Sequence, residues 1–274
     1  MTDGHGDGYQ YSGSTVDLIQ ADYPGMPHGL CDGVEAVRKK TREMLRAGAD
    51  VIKVHATGGV SSPTDHPNFT QFSLDELKVI VEEAKFRNNL KVMAHAQGLE
   101  GVKQCVAAGI HSIEHGIYLD EAVVLQMIEQ GTYLVPTLLA PVSVLEFAEE
   151  LGMSQVAIDK SKEVLQDHIN SFKLAHEKGV KIAMGTDAGV FKHGTNLREL
   201  ELMVKYGMSE IDAIRASTIT AAECLCLDNV GQIKSGYLAD VILVKEDPLK
   251  DISVLKDTDN IKIVIKDGDI VKSI

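Results

Sequence analysis

Four residues of unlike chemistry stand at matching places in the chain: Lys53 in "VIKVH", His95 in "VMAHA", His115 in "SIEHG" and Asp187 in "MGTDA". Each closes a short apolar run. One short strand–helix unit separates His95 from His115, and more than one separates His115 from Asp187. Two neutral imidazoles and a carboxylate are good ligands for zinc or a similar divalent ion. Asp187 poses the sharpest question, because a carboxylate delivered by a buried-looking run is costly unless something pairs with it. Either it caps a following helix or it meets a cation. A metal would be that cation and would lower the pKa of a bound water, leaving Asp187 placed to act as general base. Lys53 is the odd member, since an ammonium repels a metal. Carboxylation of the amine by carbon dioxide would remove the repulsion, because a carbamate is anionic and can bridge two ions.

The elements that must position these residues alternate regularly. Helical spacing over 33–48 precedes a strand-like run over 49–59. A helix over 73–89 opens with Ser73 followed three residues later by Glu76, the pattern of a capping box. Strand 90–96, helix 98–109, strand 110–116, helix 119–131 and strand 132–138 follow. A long helical region spans 143–178, with Met153 and Phe172 read as outer packing. Strand 179–187 and further helices after 195 complete the pattern. Repeated units of this length imply right-handed crossovers and a parallel sheet. In a parallel barrel every C-terminal strand end opens on one face, so the four residues can converge. The tail turns to short alternating strands, with Lys266-Asp267-Gly268-Asp269 as a hairpin turn. The expected division is an α/β part over 1–229 and a β segment over 230–274.

Composition sets the outer limits. The chain has 274 residues, 44% hydrophobic and 24% charged, with a net charge of −13. That balance is ordinary for a globular protein and argues against binding nucleic acid or an anionic membrane. No apolar run approaches the about 18 residues of a membrane-spanning helix, and the first residues lack the basic start and apolar stretch of a signal peptide. Cys31, Cys105, Cys224 and Cys226 match neither a redox pair nor a zinc knuckle, and read as free thiols of a cytoplasmic protein.

At this point the sequence resembles the amidohydrolase superfamily, in its prolidase-like and imidazolonepropionase-like branch. The matching stretches are "IKVHATGGV", "MAHAQG", "SIEHG", "GTDAG" and "GQIKSGYLADVILVKEDPL" (231–249). The resemblance implies a (β/α)8 barrel of the metal-dependent hydrolase type, incomplete here, with a small β-sandwich segment. It implies one or two divalent metals, zinc foremost, and hydrolysis of C–N bonds. The expected substrates are Xaa-Pro-type dipeptides or related N-acyl amino acids. Alternatives are a cyclic amide or lactone, or a fragment that needs another chain to complete its site. Lys53 is then the bridging carbamate, His95 and His115 ligands of one metal, and Asp187 a ligand and general base. His5 in "TDGHGDG" and His193 in "HGTN" are expected to face substrate.

One departure is large. The family's first barrel strand carries a His-x-His pair, and none of the ten histidines here forms one. The expectation is a chain that begins near the end of the third barrel strand, binds at most one metal tightly, and associates as a homo-oligomer or with a partner chain that covers the open barrel. His55, two residues beyond Lys53, is read as pocket wall. His111 is read as structural at the opposite mouth, and His66, His168 and His176 as solvated.

Overall fold

The computed structural model describes residue 25, residues 27–150 and residues 152–274. Four parallel strands lie in chain order: β1 (Ile52–His55), β2 (Val92–Ala96), β3 (Ser112–His115) and β4 (Tyr133–Val135). Their register sets Lys53 beside Met93, His55 beside His95, and His95 beside Glu114. Side chains alternate between faces. Ile52, Val54, Val92, Ala94, Ile113 and Leu134 form one face, all buried in the main apolar core. The other face carries Lys53, His55, His95, Ser112 and Glu114. A strand row that is apolar on the helix side and polar on the inner side is what "VIKVH" and "VMAHA" encode.

The helices close the outer side. They are α1 (Val34–Arg46), α2 (Leu74–Lys85), α3 (Leu99–Ala108) and α4 (Glu121–Gln130). α1 turns Val37, Thr41 and Leu45 inward at helical spacing. The capping box of α2 forms as its sequence predicts: the Glu76 amide donates to Ser73 Oγ, and the Ser73 amide donates to Glu76 Oε2 at 2.8 Å. Glu76 also accepts from the Gly33 amide at the start of α1, so one carboxylate ties two helix N-termini. Glu83, buried on α2, accepts from Arg42 Nε at 2.8 Å and from Arg38, both on α1.

Two expectations change. The helical region over 143–178 is two helices, α5 (Leu139–Glu146) and α6 (Gln155–Lys178). The chain breaks between them because Gly152 takes a left-handed conformation and Ser154 starts α6, its Oγ accepting from the Ala157 amide. Met153 lies in that break, half-buried, whereas Phe172 is core. The strand over 179–187 is only a single bridge, Ile182 beside Leu134 in parallel. The Leu134 amide donates to Lys181 O and the Ala183 amide to Leu134 O. One residue later the Met184 amide turns to Ala216 O, which ends the pairing. The segment still runs as a fifth member beside β4.

Helices α7 (Arg198–Lys205), α8 (Glu210–Ser217) and α9 (Ile219–Cys224) precede β5 (Val241–Val244), β6 (Ile261–Lys266) and β7 (Asp269–Ser273). These three strands form a separate antiparallel sheet. Asp267 and Gly268 both have positive φ, 51° and 87°, as a two-residue type I′ hairpin requires. The architecture is therefore part of an α/β barrel with a small antiparallel sheet. No helix among the described residues is long and apolar enough to cross a membrane.

The α1–α2 clamp gives a prediction. Hydrogen bonds from Arg42, with Arg38 behind it, hold the Glu83 carboxyl below its usual range against the opposing effect of burial. A depressed folded pKa contributes stability that is full above the unfolded value, about 4.3, and is lost as pH falls through the folded value. Glu83→Gln should cost about 1–2 kcal/mol at neutral pH, since Arg42 is well exposed and screening weakens the pair. That cost should vanish in acid. Denaturant melts of both proteins at pH 7 and pH 3 check it; an equal gap at both pH values would contradict it.

Candidate metal centre

A cavity of about 500 Å³ opens at the C-terminal ends of the parallel strands. Lys53 and His55 reach it from β1, His95 from β2, His115 from β3, Thr137 from just past β4, and Asp187 from the end of the fifth segment. Residues far apart in sequence thus line one space. The His95 and His115 rings meet edge-on with centroids 4.6 Å apart, and His55 lies 5.4 Å from His95. His95 and His115 are buried, whereas Lys53 and Asp187 are exposed. Asp187 is therefore not the buried carboxylate its apolar run suggested. Nor does it cap a helix, since α7 starts only at Arg198.

Strand parity alone would not place these groups. His115 pairs with Ala96 in the register, and regular alternation would send it toward the helices. Its φ is 76°, and the left-handed backbone turns its ring against His95 instead. Thr137 and Asp187 have φ of 53° and 59°. Three non-glycine residues in a costly conformation at one cavity is a concentration found at functional sites. Each is buttressed. Thr137 Oγ1 lies 2.7 Å from His115 Nδ1. Glu199, buried on α7, accepts from the Leu138 and Leu139 amides at 2.7 Å each and so caps the turn after Thr137. Burial pushes the Glu199 carboxyl up to about 8, although both amides work against it.

Two residues at the site escape the sequence reading. Glu114 is buried beside the site, accepts from Ser112 Oγ at 2.7 Å, and is raised to about 7 chiefly by burial. His168 was expected in solvent. It is 1% exposed, lines the cavity, and has Nε2 2.7 Å from Pro136 O and 3.1 Å from His115 O. Burial lowers it to about 4, so the ring is neutral near pH 7. The signal was available: Ser161, Val164 and His168 recur at helical spacing and form the face of α6 that meets the cavity. Ile117, Val144 and Val190 make an apolar part of the remaining wall, and Gln97 also lines the cavity.

The other expected residues sort plainly. His193 is exposed and outside the cavity lining. His5 lies outside the described residues. His111 sits at the opposite mouth, bonded to Cys224 O at 2.9 Å. His66 is half-buried near Glu163, and His176 is half-buried and stacked on Phe172, so neither is fully solvated. Among the described residues, His, Cys, Asp and Glu alone form no group of three spaced to hold an ion. In kind and position the imidazole pair still fits a divalent ion, with one further donor to find.

The loop after β1 covers one flank. A Cβ on Gly58 would stand 2.3 Å from His66 O, so only glycine permits this approach, and Gly58 O lies 3.1 Å from His95 Nε2. Lys160, on α6, donates from Nζ to Gly59 O, Ser62 O and Asp65 O. One ammonium thus staples the loop to the helix.

Fold and site together define an α/β-barrel protein with imidazoles, a lysine and a carboxylate at the strand mouth. The amidohydrolase family model matches residues 8–271, and the chain belongs to that family. It is 39% identical to the ochratoxinase of Aspergillus niger over 90% of this chain and 51% of that protein. Among solved structures it is similar to a Xaa-Pro dipeptidase with bound methionine in the active site (40% identity, TM-score 0.88, 99% of this chain and 66% of that one). The solved A. niger ochratoxinase is also similar (37%, TM-score 0.87, 99% and 64%). The chain thus spans about half the length of the curated relative and under two thirds of the ochratoxinase structure.

The Lys160 staple yields a test. Lys160→Met removes three carbonyl contacts while keeping the apolar stem. Protease cleavage within 58–66 should rise about tenfold, as the loop loses roughly 1–2 kcal/mol of local stability. Peptide mapping of a time course reads it. Unchanged loop cleavage would show that the staple does not hold the loop.

Proposed function

We propose that this chain carries a metal-dependent hydrolase site for C–N bonds, acting on Xaa-Pro-type dipeptides or related N-acyl amino acids. The observation that supports this reading is the convergence of Lys53, His95, His115 and Asp187 on one cavity. His95 and His115 would hold a divalent ion, zinc by donor type, and a carbamate on Lys53 would be the donor that the histidine pair lacks. Bound there, the ion would polarise the scissile carbonyl and acidify a water.

The chain's own residues supply the rest. His95 donates its Nε2–H to Gly58 O, which makes Nδ1 the basic nitrogen of that ring. Thr137 holds the His115 ring in place. Asp187, open to the cavity, is positioned to take a proton from water as oxygen adds to the carbonyl carbon, and to return it to the amine nitrogen as the C–N bond breaks. The apolar wall suits an apolar acyl or prolyl group. The names of similar proteins, among them a prolidase complexed with n-methylphosphonate-l-proline (35% identity, TM-score 0.84), support the substrate class.

Further features complete the proposal. A boundary near 229/230 separates the barrel part from the β segment. Ile242, Leu243, Ile270 and Val271 are exposed on the antiparallel sheet, which supports a second copy or partner chain covering apolar surface. All four cysteines are free, which supports a cytoplasmic setting. The absence of a three-donor group among the described residues favours, as a second reading, a site that another chain completes.

Elemental analysis with an assay on L-leucyl-L-proline tests the reading. One equivalent of divalent metal per chain is expected. His95→Ala and His115→Ala should each lose it, and His176→Ala should keep it. Activity is expected to be weak unless a second chain completes the site. Equal metal content in all three variants, or none in the parent, would overturn the assignment.

A further inference from the structure

The cavity holds polar atoms that the proposed chemistry does not use. Gln97 Oε1, Ser161 Oγ and His168 Nδ1 are buried and have no hydrogen-bond partner among the described residues. The three residues are 5%, 0% and 1% exposed, and all line the same cavity. Buried polar atoms are nearly always satisfied, so three orphans facing one space is a pattern to be explained. They do not face the core by accident of packing. Ser161 and His168 stand two helical turns apart on one face of α6, with Val164 between them. A serine inside a helix commonly bonds back to a carbonyl of its own preceding turn, and Ser161 does not. Gln97 and His168 flank the turn after β3 from opposite sides: Gln97 O accepts from the Tyr118 amide, and His168 Nε2 bonds His115 O.

The chemistry of His168 is forced by its neighbours. Both groups at Nε2 are carbonyl oxygens, which only accept. Nε2 therefore carries the proton, and Nδ1 of the neutral ring presents a lone pair. A carboxylate cannot satisfy that atom; a hydroxyl or an amine can. Ser161 can donate or accept, and Gln97 offers an amide of either sense. Around them Ile117, Val144 and Val164 are apolar.

We propose that Gln97, Ser161 and His168 form a substrate-recognition wall that selects an apolar group bearing a hydrogen-bond donor, an amine or a hydroxyl, on the part of the substrate facing α6. The proposal deepens the hydrolase reading and rests on it for the direction in which substrate lies. A substrate lacking the donor leaves a buried acceptor unpaired, which is the strong form of hydrogen-bond discrimination.

Three matched probes test it: L-leucine, 2-hydroxy-4-methylpentanoate and 4-methylpentanoate, which differ only in carrying an amine, a hydroxyl or neither. Binding is measured by calorimetry on the metal-loaded and on the chelator-treated protein. Amine or hydroxyl acid should bind about tenfold tighter than the unsubstituted acid in both forms, and their order names the donor. His168→Leu should level the series. Because that variant also removes the bonds to His115 O and Pro136 O, the double variant Gln97→Leu/Ser161→Ala is the second arm; it leaves those bonds intact and should cut the preference several-fold. Equal binding of all three probes, no binding of any, or a preference that persists in both variants overturns the proposal. A preference confined to the metal-loaded protein also overturns it, since that is chelation. Binding read without catalysis separates this outcome from a failure of the hydrolase reading, which shows in metal content and turnover.

Discussion

The site depends on a backbone constraint at the strand ends. A regular strand sends successive side chains to opposite faces, so it can deliver only alternate residues to a central cavity. Here β3 must deliver both Glu114 and His115 inward, and it does so because His115 adopts a left-handed conformation. The same device recurs at Thr137 and Asp187. Each such residue costs on the order of 1–2 kcal/mol. At His115 and Thr137 the surrounding bonds offset that cost: Thr137 on His115, the Glu199 carboxyl on the Leu138 and Leu139 amides, and His168 on two carbonyls. None of these bonds makes the architecture. All of them hold its ends in directions the strands would not choose.

That division explains what could be read from the residues. Local rules found the elements whose causes are local. The Ser73–Glu76 box, the Asp267–Gly268 turn and the polar inner face of "VIKVH" each follow from a few neighbouring side chains. Parallel strands bring Lys53, His95, His115 and Asp187 to one mouth, but the left-handed backbone of His115 is needed to turn its ring inward. The errors lie where the cause is distant. The strand over 179–187 fails because Met184 finds a partner on α8, far along the chain. The helical region over 143–178 divides at Gly152, which takes a left-handed conformation within an otherwise helical pattern. His168, expected in solvent, follows Val164 and precedes Phe172 at helical spacing, and that phase puts it on a buried side. Glu114 precedes His115 in "SIEHG" with no local signal of its own, and only burial distinguishes it.

Electrostatics on the inner face favour a cation. Glu114 is buried beside the cavity; Asp187 contributes to its raised pKa, while Lys53 acts in the opposite sense. The largest cause is burial, so Glu114 gains from any positive charge nearby. Conversion of Lys53 to a carbamate would remove the one ammonium that lowers the Glu114 pKa, and would deepen the need for a metal. The two halves of the reading are therefore coupled. On the proposed reading, a carbamate without an ion would stand near Asp187 and Glu114, and an ion without the carbamate would meet the Lys53 ammonium.

The cavity then has two unlike sides. One is made of strand ends and carries Lys53, the imidazole pair and Asp187. The other is made of α5 and α6, apolar apart from Ser161 and His168. His168 belongs to both, since its Nε2 supports the backbone of His115 while its Nδ1 looks into the cavity. A group recognised at Nδ1 is therefore tied through one ring to the backbone that aims His115. The link is short: one imidazole, one carbonyl and one strained residue. On the proposed reading it would couple the substrate side to the His115 side, because a shift of the ring toward a bound donor would lengthen or reorient its bonds to Pro136 O and His115 O. The ring's rigidity, set by two carbonyls and complete burial, is what keeps that coupling from loosening the site.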